Sequence, residues 1–218
     1  METPRHMGTD TAHPRTSAPG LLGRVLLLVA VAIGCAAAGA VIGRDLSPGV
    51  AITLTLVAFG MLLTQTFGGD LFRVGHFAIG WLLAVGLVIG LGVGPVLAYY
   101  ASTDPATISS AAITTAGVVA AMGMGGLSLD KDLASWLRPL TFVVFGLVVV
   151  SLVAFLFGSG GNPLLSLAIA AISAVLILVD LNYLRHHGTD DDAVLLATGI
   201  FISIVNIFVS LLNIFSRE

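Results

Sequence analysis

Charged residues are scarce in this sequence. Asp, Glu, Lys and Arg make up only 10% of its 218 residues, whereas they make up about a quarter of a typical soluble domain. Hydrophobic residues make up 57%, which leaves too few polar side chains to cover a folded surface in water. The composition therefore excludes a soluble globular protein. It predicts a multi-pass membrane protein surrounded by membrane lipid.

Cysteine and clustered positive charge are also almost absent. Cys35 is the single cysteine, which excludes an intramolecular disulfide and a metal cluster held by several cysteines. The formal net charge of -3 is dispersed, so no basic surface is available to bind nucleic acid. The sequence also lacks a nucleophile paired with a base, a metal-binding triad and a phosphate-binding loop. We therefore expect no nucleic-acid partner, no cofactor and no enzymatic activity.

Apolar blocks fill the chain after residue 20. A membrane-spanning helix needs about 20 predominantly apolar residues. Seven blocks approach that length, at residues 21–43, 50–67, 77–100, 108–127, 139–157, 163–184 and 193–215. The pattern predicts an all-α membrane protein, a seven-transmembrane-helix bundle that forms one domain over residues 21–218. Residues 1–20 are rich in Pro, Thr and Gly and are predicted to form a disordered cytoplasmic tail.

Lys and Arg are distributed unevenly between the two ends of this predicted bundle. With the N-terminus inside, only Arg44 and Arg217 face out. Seven basic residues then lie inside: Arg5, Arg15, Arg24, Arg73, Lys131, Arg138 and Arg185. Positively charged segments are retained in the cytoplasm. We predict a cytoplasmic N-terminus and an external C-terminus, and the Gly- and Ala-rich chain with short loops favours a bacterial cytoplasmic membrane.

The first block has an alternative interpretation as a cleaved signal. A basic leader precedes it, and the residues Ile33, Gly34 and Cys35 faintly resemble a lipoprotein cleavage site. However, the leader is long, and the block at residues 21–43 exceeds the apolar core of about 7–15 residues in a signal peptide. Ala32 also occupies a position where such sites prefer a larger aliphatic residue. These features favour an uncleaved helix.

Asp180 is the ionisable residue that stands out within the apolar blocks. An aspartate at mid-membrane costs about 2.5–3.5 kcal/mol, so such a residue usually faces a cavity or a partner. Ser166 and Ser173 precede it at intervals of seven and share its helix face. A second polar stripe follows the last block at intervals of four, three, four and three: Gly199, Ser203, Asn206, Ser210 and Asn213.

These two stripes allow two interpretations. If they face each other, they could line a hydrated path, with Asp180 contacting an ion and sensing pH and with Ser203, Asn206 and Ser210 supplying neutral oxygens. Alternatively, small and polar residues only hold membrane helices together through close packing and hydrogen bonds. For Asp180 the structural alternative is a carboxylate that reaches the cytoplasmic interface or pairs with Arg185.

The loop at residues 185–192 collects two histidines and three carboxylates. His186 and His187 could form a pH sensor, because histidine titrates near neutrality, or the loop could hold a cation loosely. Ordinary helix capping explains the same residues. Gly188 would end one helix, Thr189 or Asp190 would cap the next, and acids suit its first turn. No metal site is predicted with certainty.

Several motifs resemble the Bax inhibitor-1 family in their order and spacing. These are GLGVGP at 90–95, AITTA at 112–116, LDKDLA at 129–134, Val179 and Asp180 with Tyr183, and IVNIFVSLL at 204–212. The resemblance covers nearly all of the chain from the first helix onward. It implies a seven-helix bundle with the C-terminal helix at its centre and a pH-sensitive calcium leak, so that calcium is the expected transported ion.

The resemblance also implies a pair of aspartates, one on each of the last two helices, that share a proton. Asp180 matches the first, but Ser203 stands at the second position and cannot carry charge. The family brings a basic residue toward this pair from the second helix, whereas residues 50–67 are uncharged and Gln65 is their most polar member. One acid predicts weak divalent selectivity. The alternative is a non-conducting regulator that acts through membrane protein partners such as proteases.

Overall fold

Helices account for nearly all of the described structure. A computed structural model describes residues 18–156 and 162–216. Its α-helices are α1 (Ala18–Gly43), α2 (Pro48–Phe67), α3 (Gly75–Thr103), α4 (Pro105–Ser128), α5 (Ala134–Leu156), α6 (Pro163–His187) and α7 (Ala193–Phe215). Two short 3-10 helices, Gly69–Phe72 and Asp190–Asp192, lie in connections. All seven α-helices in these ranges are long and apolar enough to cross a membrane, which confirms the predicted all-α bundle.

The helix ends differ from the predicted blocks mainly at α5. This helix begins at Ala134, before the predicted start at Pro139, so the proline lies inside the helix. The side chain of Asp132 accepts a hydrogen bond from the backbone nitrogen of Ala134 at 2.9 Å and so satisfies a free donor of the first turn. Most of the predicted disordered tail lies outside the described residues, and α1 already begins at Ala18.

The C-terminal helix α7 is the centre of the bundle, as predicted. It packs against α6, α4 and α1 and also touches α3. Its residues Ala197, Ile200 and Phe201 are almost completely buried and join a core to which α1 and α3 contribute. In contrast, α2 packs mainly on α3 and α5 mainly on α6. The two outer helices meet where the rings of Phe59 and Phe145 stack with centroids 4.9 Å apart.

Glycines bring the backbones of α1 and α3 into direct contact. Gly86, Gly90 and Gly94 follow one face of α3 at intervals of four and meet carbonyl oxygens of α1. A Cβ at Gly86 would lie 2.8 Å from the carbonyl oxygen of Ala32, and one at Gly90 would overlap that of Ala36. Small residues allow this approach in membranes, where van der Waals packing drives helix association. The abundance of glycine in the apolar blocks therefore has a structural basis.

A single residue, Asp104, connects α3 to α4. Its carboxylate caps α4 by accepting a hydrogen bond from the Thr107 hydroxyl at 2.5 Å and a second from the Thr107 backbone nitrogen. The hydroxyl of Thr107, together with the Thr107 and Ala106 backbone amides, lowers the pKa of this carboxyl below its ordinary value. The cap fixes the start of α4 while α3 and α4 make only limited contact with each other.

Candidate functional site

Asp180 lies at the interface between α6 and α7. The helix continues to His187, so Asp180 lies about two turns from the end of α6. The predicted block had placed it about one turn from that end. Only 6% of the residue is exposed, and a Cβ on Gly199 of α7 would lie 3.1 Å from its Oδ2 atom. No residue in the described ranges forms an ion pair or hydrogen bond with its carboxylate. The acid is therefore buried against α7 without a partner.

The register of the two helices places their polar residues at matching depths. Consecutive helices with a short connection run antiparallel, and each residue advances the helix by about 1.5 Å. Ser173 is seven residues before Asp180, and Asn206 is seven residues after Gly199, so both lie about 10.5 Å farther from the connection. A further seven residues reach Ser166 and Asn213. The two predicted stripes therefore run at matching depths along α6 and α7, and they meet where Gly199 faces Asp180.

Two buried polar atoms of α6 and α7 have no hydrogen-bond partner in the part of the chain that the structure describes. Ser173 is fully buried, and its hydroxyl oxygen makes no hydrogen bond among the described residues. The same is true of the Oδ1 atom of Asn213 in α7. Ser203 and Ser210 are also buried, whereas Asn206 is half-buried. Because buried polar atoms nearly always find a partner, these two atoms are candidates for hydrogen bonds to water.

Gln65 connects α2 to α7 beside the position where Gly199 faces Asp180. Its Nε2 atom donates a hydrogen bond to the Thr198 hydroxyl at 2.9 Å, and that hydroxyl donates to the carbonyl oxygen of Val194 at 2.8 Å. The Oε1 atom of Gln65 is buried and has no hydrogen-bond partner within residues 18–156 and 162–216. Thr198 directly precedes Gly199, which faces Asp180. Sequence reasoning had identified Gln65 only as the most polar residue of α2, and Thr198 lies beside the predicted stripe rather than on it.

Comparison with known proteins gives a family for this architecture. The family model described as "Inhibitor of apoptosis-promoting Bax1" matches residues 19–218, which is nearly the whole chain. The chain belongs to the Bax inhibitor-1 family. No curated protein sequence gives a significant match. The resemblance inferred from the short motifs is thereby confirmed.

In this Bax inhibitor-1 family member, Ser203 occupies the position where the resemblance implies a second aspartate, but it is not a hydrogen-bond partner of Asp180. Ser203 is 3% exposed, yet its hydroxyl makes no hydrogen bond with the carboxylate among the described residues. Arg185 does not pair with Asp180 either. Its Nη2 atom lies 2.9 Å from Asp130, and its Nη1 atom donates to the carbonyl oxygen of Leu129. The predicted alternative of an Asp180–Arg185 ion pair is therefore not formed.

Asn182 is a buried residue whose role sequence reasoning missed. It is completely buried two residues after Asp180, and its Oδ1 atom accepts a hydrogen bond from the backbone nitrogen of Leu133 at 2.8 Å. Its Nδ2 atom donates to the carbonyl oxygens of Gly126, Leu129 and Lys131. One amide thus fastens α6 to the connection between α4 and α5. An asparagine in an apolar helix is a signal that could have drawn attention to it.

The two histidines of the predicted pH sensor have different hydrogen-bond partners. The ring of His186 donates from Nδ1 to the carbonyl oxygen of Asn182 in its own helix at 2.9 Å. His187 reaches the α4–α5 connection, where its Nε2 atom lies 2.7 Å from the carboxylate of Asp132. The backbone amide of Ala134 and the side chain of His187 hold the pKa of Asp132 below its ordinary value.

The remainder of the 185–192 loop forms a helix cap. The carboxylate of Asp192 accepts hydrogen bonds from the backbone nitrogen of Thr189 at 3.1 Å and from its hydroxyl at 2.6 Å. Gly188 follows the last residue of α6, as expected for a helix end. No cluster of three or more metal-binding side chains occurs in residues 18–156 and 162–216. The loop geometry is thus that of capping.

The contact between His187 and Asp132 predicts acid sensitivity at this end of the bundle. A carboxyl whose pKa is lowered by folding stabilises the folded state above its unfolded-state pKa, and this contribution is lost as pH falls through its folded-state pKa. We expect the α4–α5 connection to loosen below about pH 4. Hydrogen exchange of the Ala134 amide should be faster in Asp132→Asn than in the native chain at pH 6, and the difference should vanish near pH 3. A constant difference at both pH values would contradict this assignment.

Proposed function

We propose that this chain is a pH-sensitive cation leak of the Bax inhibitor-1 type, with calcium as the candidate ion. The observation that carries the proposal is the carboxylate of Asp180, which is buried beside Gly199 without a hydrogen bond or counter-ion among the described residues. A buried charge without a partner is costly, and ionisable residues within membranes commonly mark ion paths. Asp180 is the ion-contacting group, and its protonation removes the charge that attracts the cation.

The polar atoms of α6 and α7 supply the rest of the path. The hydroxyl of Ser173 and the Oδ1 atom of Asn213 are buried, have no partner among the described residues, and lie on the same two helices as Asp180 and Gly199. Ser203, Asn206 and Ser210 add neutral oxygens to the same face of α7. Water molecules that satisfy such atoms would form a hydrated file between the two helices. With one carboxylate, the path should favour cations in general and discriminate weakly for calcium, because calcium prefers several anionic oxygens.

The distribution of basic residues supports an orientation for this path. Arg73, Lys131, Arg138 and Arg185 all lie at the end of the bundle where α6 turns into α7. Positive residues remain on the cytoplasmic side. Asp180 is then nearer the cytoplasm, in a bacterial cytoplasmic membrane with an internal N-terminus and an external C-terminus.

Flux into liposomes tests the proposal. The native chain should admit calcium faster than empty liposomes and faster at pH 8 than at pH 6, because the ionised carboxylate attracts the ion. Asp180→Asn should reduce this flux at least about tenfold, a loss equivalent to about 1.4 kcal/mol. Asp191→Asn is the matched control, since the same change at an exposed acid leaves the interface intact.

Ser203→Asp provides a test in the opposite direction. A second acid one turn from Gly199 would restore a coupled carboxyl pair, and two interacting acids titrate together. We expect a steeper dependence of flux on pH than in the native chain. If the native chain, Asp180→Asn and Ser203→Asp all conduct no faster than empty liposomes, the transport proposal is wrong.

The presence of Ser203 at the second acidic position favours one further candidate function. A single acid gives a weak cation site, so the protein could instead act as a non-conducting regulator through contacts with membrane protein partners such as proteases. In this case Asp180→Asn should retain the same crosslinked partners in membranes as the native chain. Loss of those partners in Asp180→Asn, together with loss of flux, would favour the leak.

A further inference from the structure

A deep cleft lies on the side of α7 that faces away from Asp180. Its volume is about 660 Å³, and it is bounded by α1, α3, α4 and α7. On α7 the lining includes Val205 and Phe208, with the buried Phe201 behind them. These residues are roughly opposite Ser203 and Ser210 around the helix, because each residue turns an α-helix by about 100°. One face of α7 therefore carries serine hydroxyls, and the opposite face carries apolar side chains.

The cleft exists because two groups of helices separate beside α7. The glycine face of α3 holds this helix tightly against α1, whereas α4 packs against α6 and α7. At Gly126 the backbone of α4 approaches α6 so closely that a Cβ would lie 3.2 Å from the backbone nitrogen of Asn182. Although α3 and α4 are consecutive, little of their length is in contact. A gap therefore remains between the α1–α3 pair and α4.

The side chains that line the cleft provide no free hydrogen-bond donor for water. Thr115 is the one lining side chain with a hydroxyl, and this hydroxyl already donates to the carbonyl oxygen of Ala111 at 2.7 Å. The remaining lining residues are aliphatic, aromatic or glycine. A cavity without unpaired polar atoms does not hold ordered water. Its occupant must therefore be apolar.

The position of the cleft along the helices identifies the source of an apolar occupant. Its lining spans residues 33–40 of α1, 89–97 of α3, 112–120 of α4 and 201–209 of α7. Each segment covers about 10–12 Å of helix. The segments of α4 and α7 lie at the middle of their helices, and those of α1 and α3 lie toward the end away from Asp180. The cleft therefore lies within the depth of the hydrocarbon core, which is about 30 Å thick, and hydrocarbon chains surround its opening.

The rims of the cleft are continuous with the surface that faces lipid. Ile33 on α1 is 40% exposed, and Val209 on α7 is 38% exposed. Both side chains also line the cleft, so no polar barrier separates it from the bilayer. The cleft therefore opens directly onto the hydrocarbon chains of the bilayer.

We propose that the cleft between α1, α3, α4 and α7 binds one acyl chain of a phospholipid from the surrounding bilayer. The small side chains of Ala37 and Ala116 leave the space, and the partly exposed side chains of Val205 and Phe208 provide contact surface. Binding in a preformed apolar site is driven by dispersion contacts and by filling the void. This site is independent of the proposed ion path, because none of its lining residues belongs to the polar stripes.

Native mass spectrometry with phosphatidylglycerol tests the proposal. The native chain, purified in mild detergent with this lipid, should retain one bound phospholipid. Ala37→Phe and Ala116→Phe should reduce retention at least tenfold, because the new rings occupy the cleft. Their controls are Ala38→Phe and Ile113→Phe, which add or exchange side chains at neighbouring exposed positions that do not line the cleft. Equal retention by cleft and control variants would overturn the proposal.

A second measurement uses the unaltered chain and so does not depend on the folding of variants. Crystals grown with phosphatidylglycerol that carries a brominated acyl chain should show a bromine peak between Ala37 and Val209. Bromine peaks elsewhere on the surface but none in the cleft would refute the site. If the cleft-filling variants instead convert a dimer into a monomer, the cleft is an interface between copies of the chain and the lipid proposal is wrong.

Discussion

Replacing Gly90 by alanine should destabilise the bundle by about 1–3 kcal/mol, although alanine is the better helix former. The added Cβ would overlap the carbonyl oxygen of Ala36, and neither backbone can move without disturbing the other glycine contacts along α1 and α3. Thermal unfolding of the purified protein in detergent should therefore show a lower midpoint for Gly90→Ala than for the native chain.

Gly80→Ala provides the matched control for this prediction. It lies in the same helix, and a Cβ at this position would meet no atom within 4 Å. Its midpoint should be unchanged or slightly higher, since glycine in a helix costs about 0.5–1 kcal/mol relative to alanine. Equal midpoints for the two variants would show that α1 and α3 are not in backbone contact.

Replacing Asn182 by leucine should cost about 3 kcal/mol or more. The side chain has nearly the same size, but the change leaves the backbone nitrogen of Leu133 and the carbonyl oxygens of Gly126, Leu129 and Lys131 without this partner. The Leu129 carbonyl keeps its hydrogen bond from Arg185, and Lys131 is exposed, so the main losses are at Gly126 and Leu133. Each buried polar group that loses its partner costs about 1–3 kcal/mol. The released connection should also become a better substrate for trypsin, which cleaves after Lys131. The rate of this cleavage and the unfolding midpoint are the two measurements.

Asn213→Leu is the control for this change of residue type. The Oδ1 atom of Asn213 is buried without a partner among the described residues, so its removal should leave the unfolding midpoint unchanged or raise it. If both leucine variants unfold at the same temperature, Asn182 does not act as the fastening residue. Trypsin cleavage after Lys131 should be accelerated only by Asn182→Leu.

The number of helices could be predicted because length and hydropathy decide whether a segment crosses a bilayer. Seven blocks of sufficient length leave few alternatives, and their breaks contain turn residues or charges. The start of α5 was misplaced because Pro139 was interpreted as the first residue, whereas Asp132 and Asn182 extend the helix back to Ala134. Side chains from elsewhere in the fold therefore set this boundary.

The polar residues of the candidate site could be predicted only in part. Asp180 and the α7 stripe were recognisable because polar side chains in apolar helices are unusual and their spacing gives their face. The hydrogen bond between Gln65 and Thr198 was not predictable, because it depends on how α2 leans toward α7. The cleft was not predictable either, since its lining consists of ordinary apolar residues. Its existence depends on the distances between helices, which spacing along one helix does not reveal.

The backbone contact between α1 and α3 has a mechanical consequence. Helices whose backbones touch cannot slide or tilt independently, so these two would move as one rigid body. α2 would move with them, since Gly92 of α3 lies so close to Thr55 that a Cβ would be 2.6 Å from its Oγ1 atom. The contact that constrains this group least is the one between α3 and α4, which meet over little of their length and are joined along the chain by Asp104. A change in the width of the membrane-facing gap would therefore come from a shift of α4 and not from α1 sliding along α3.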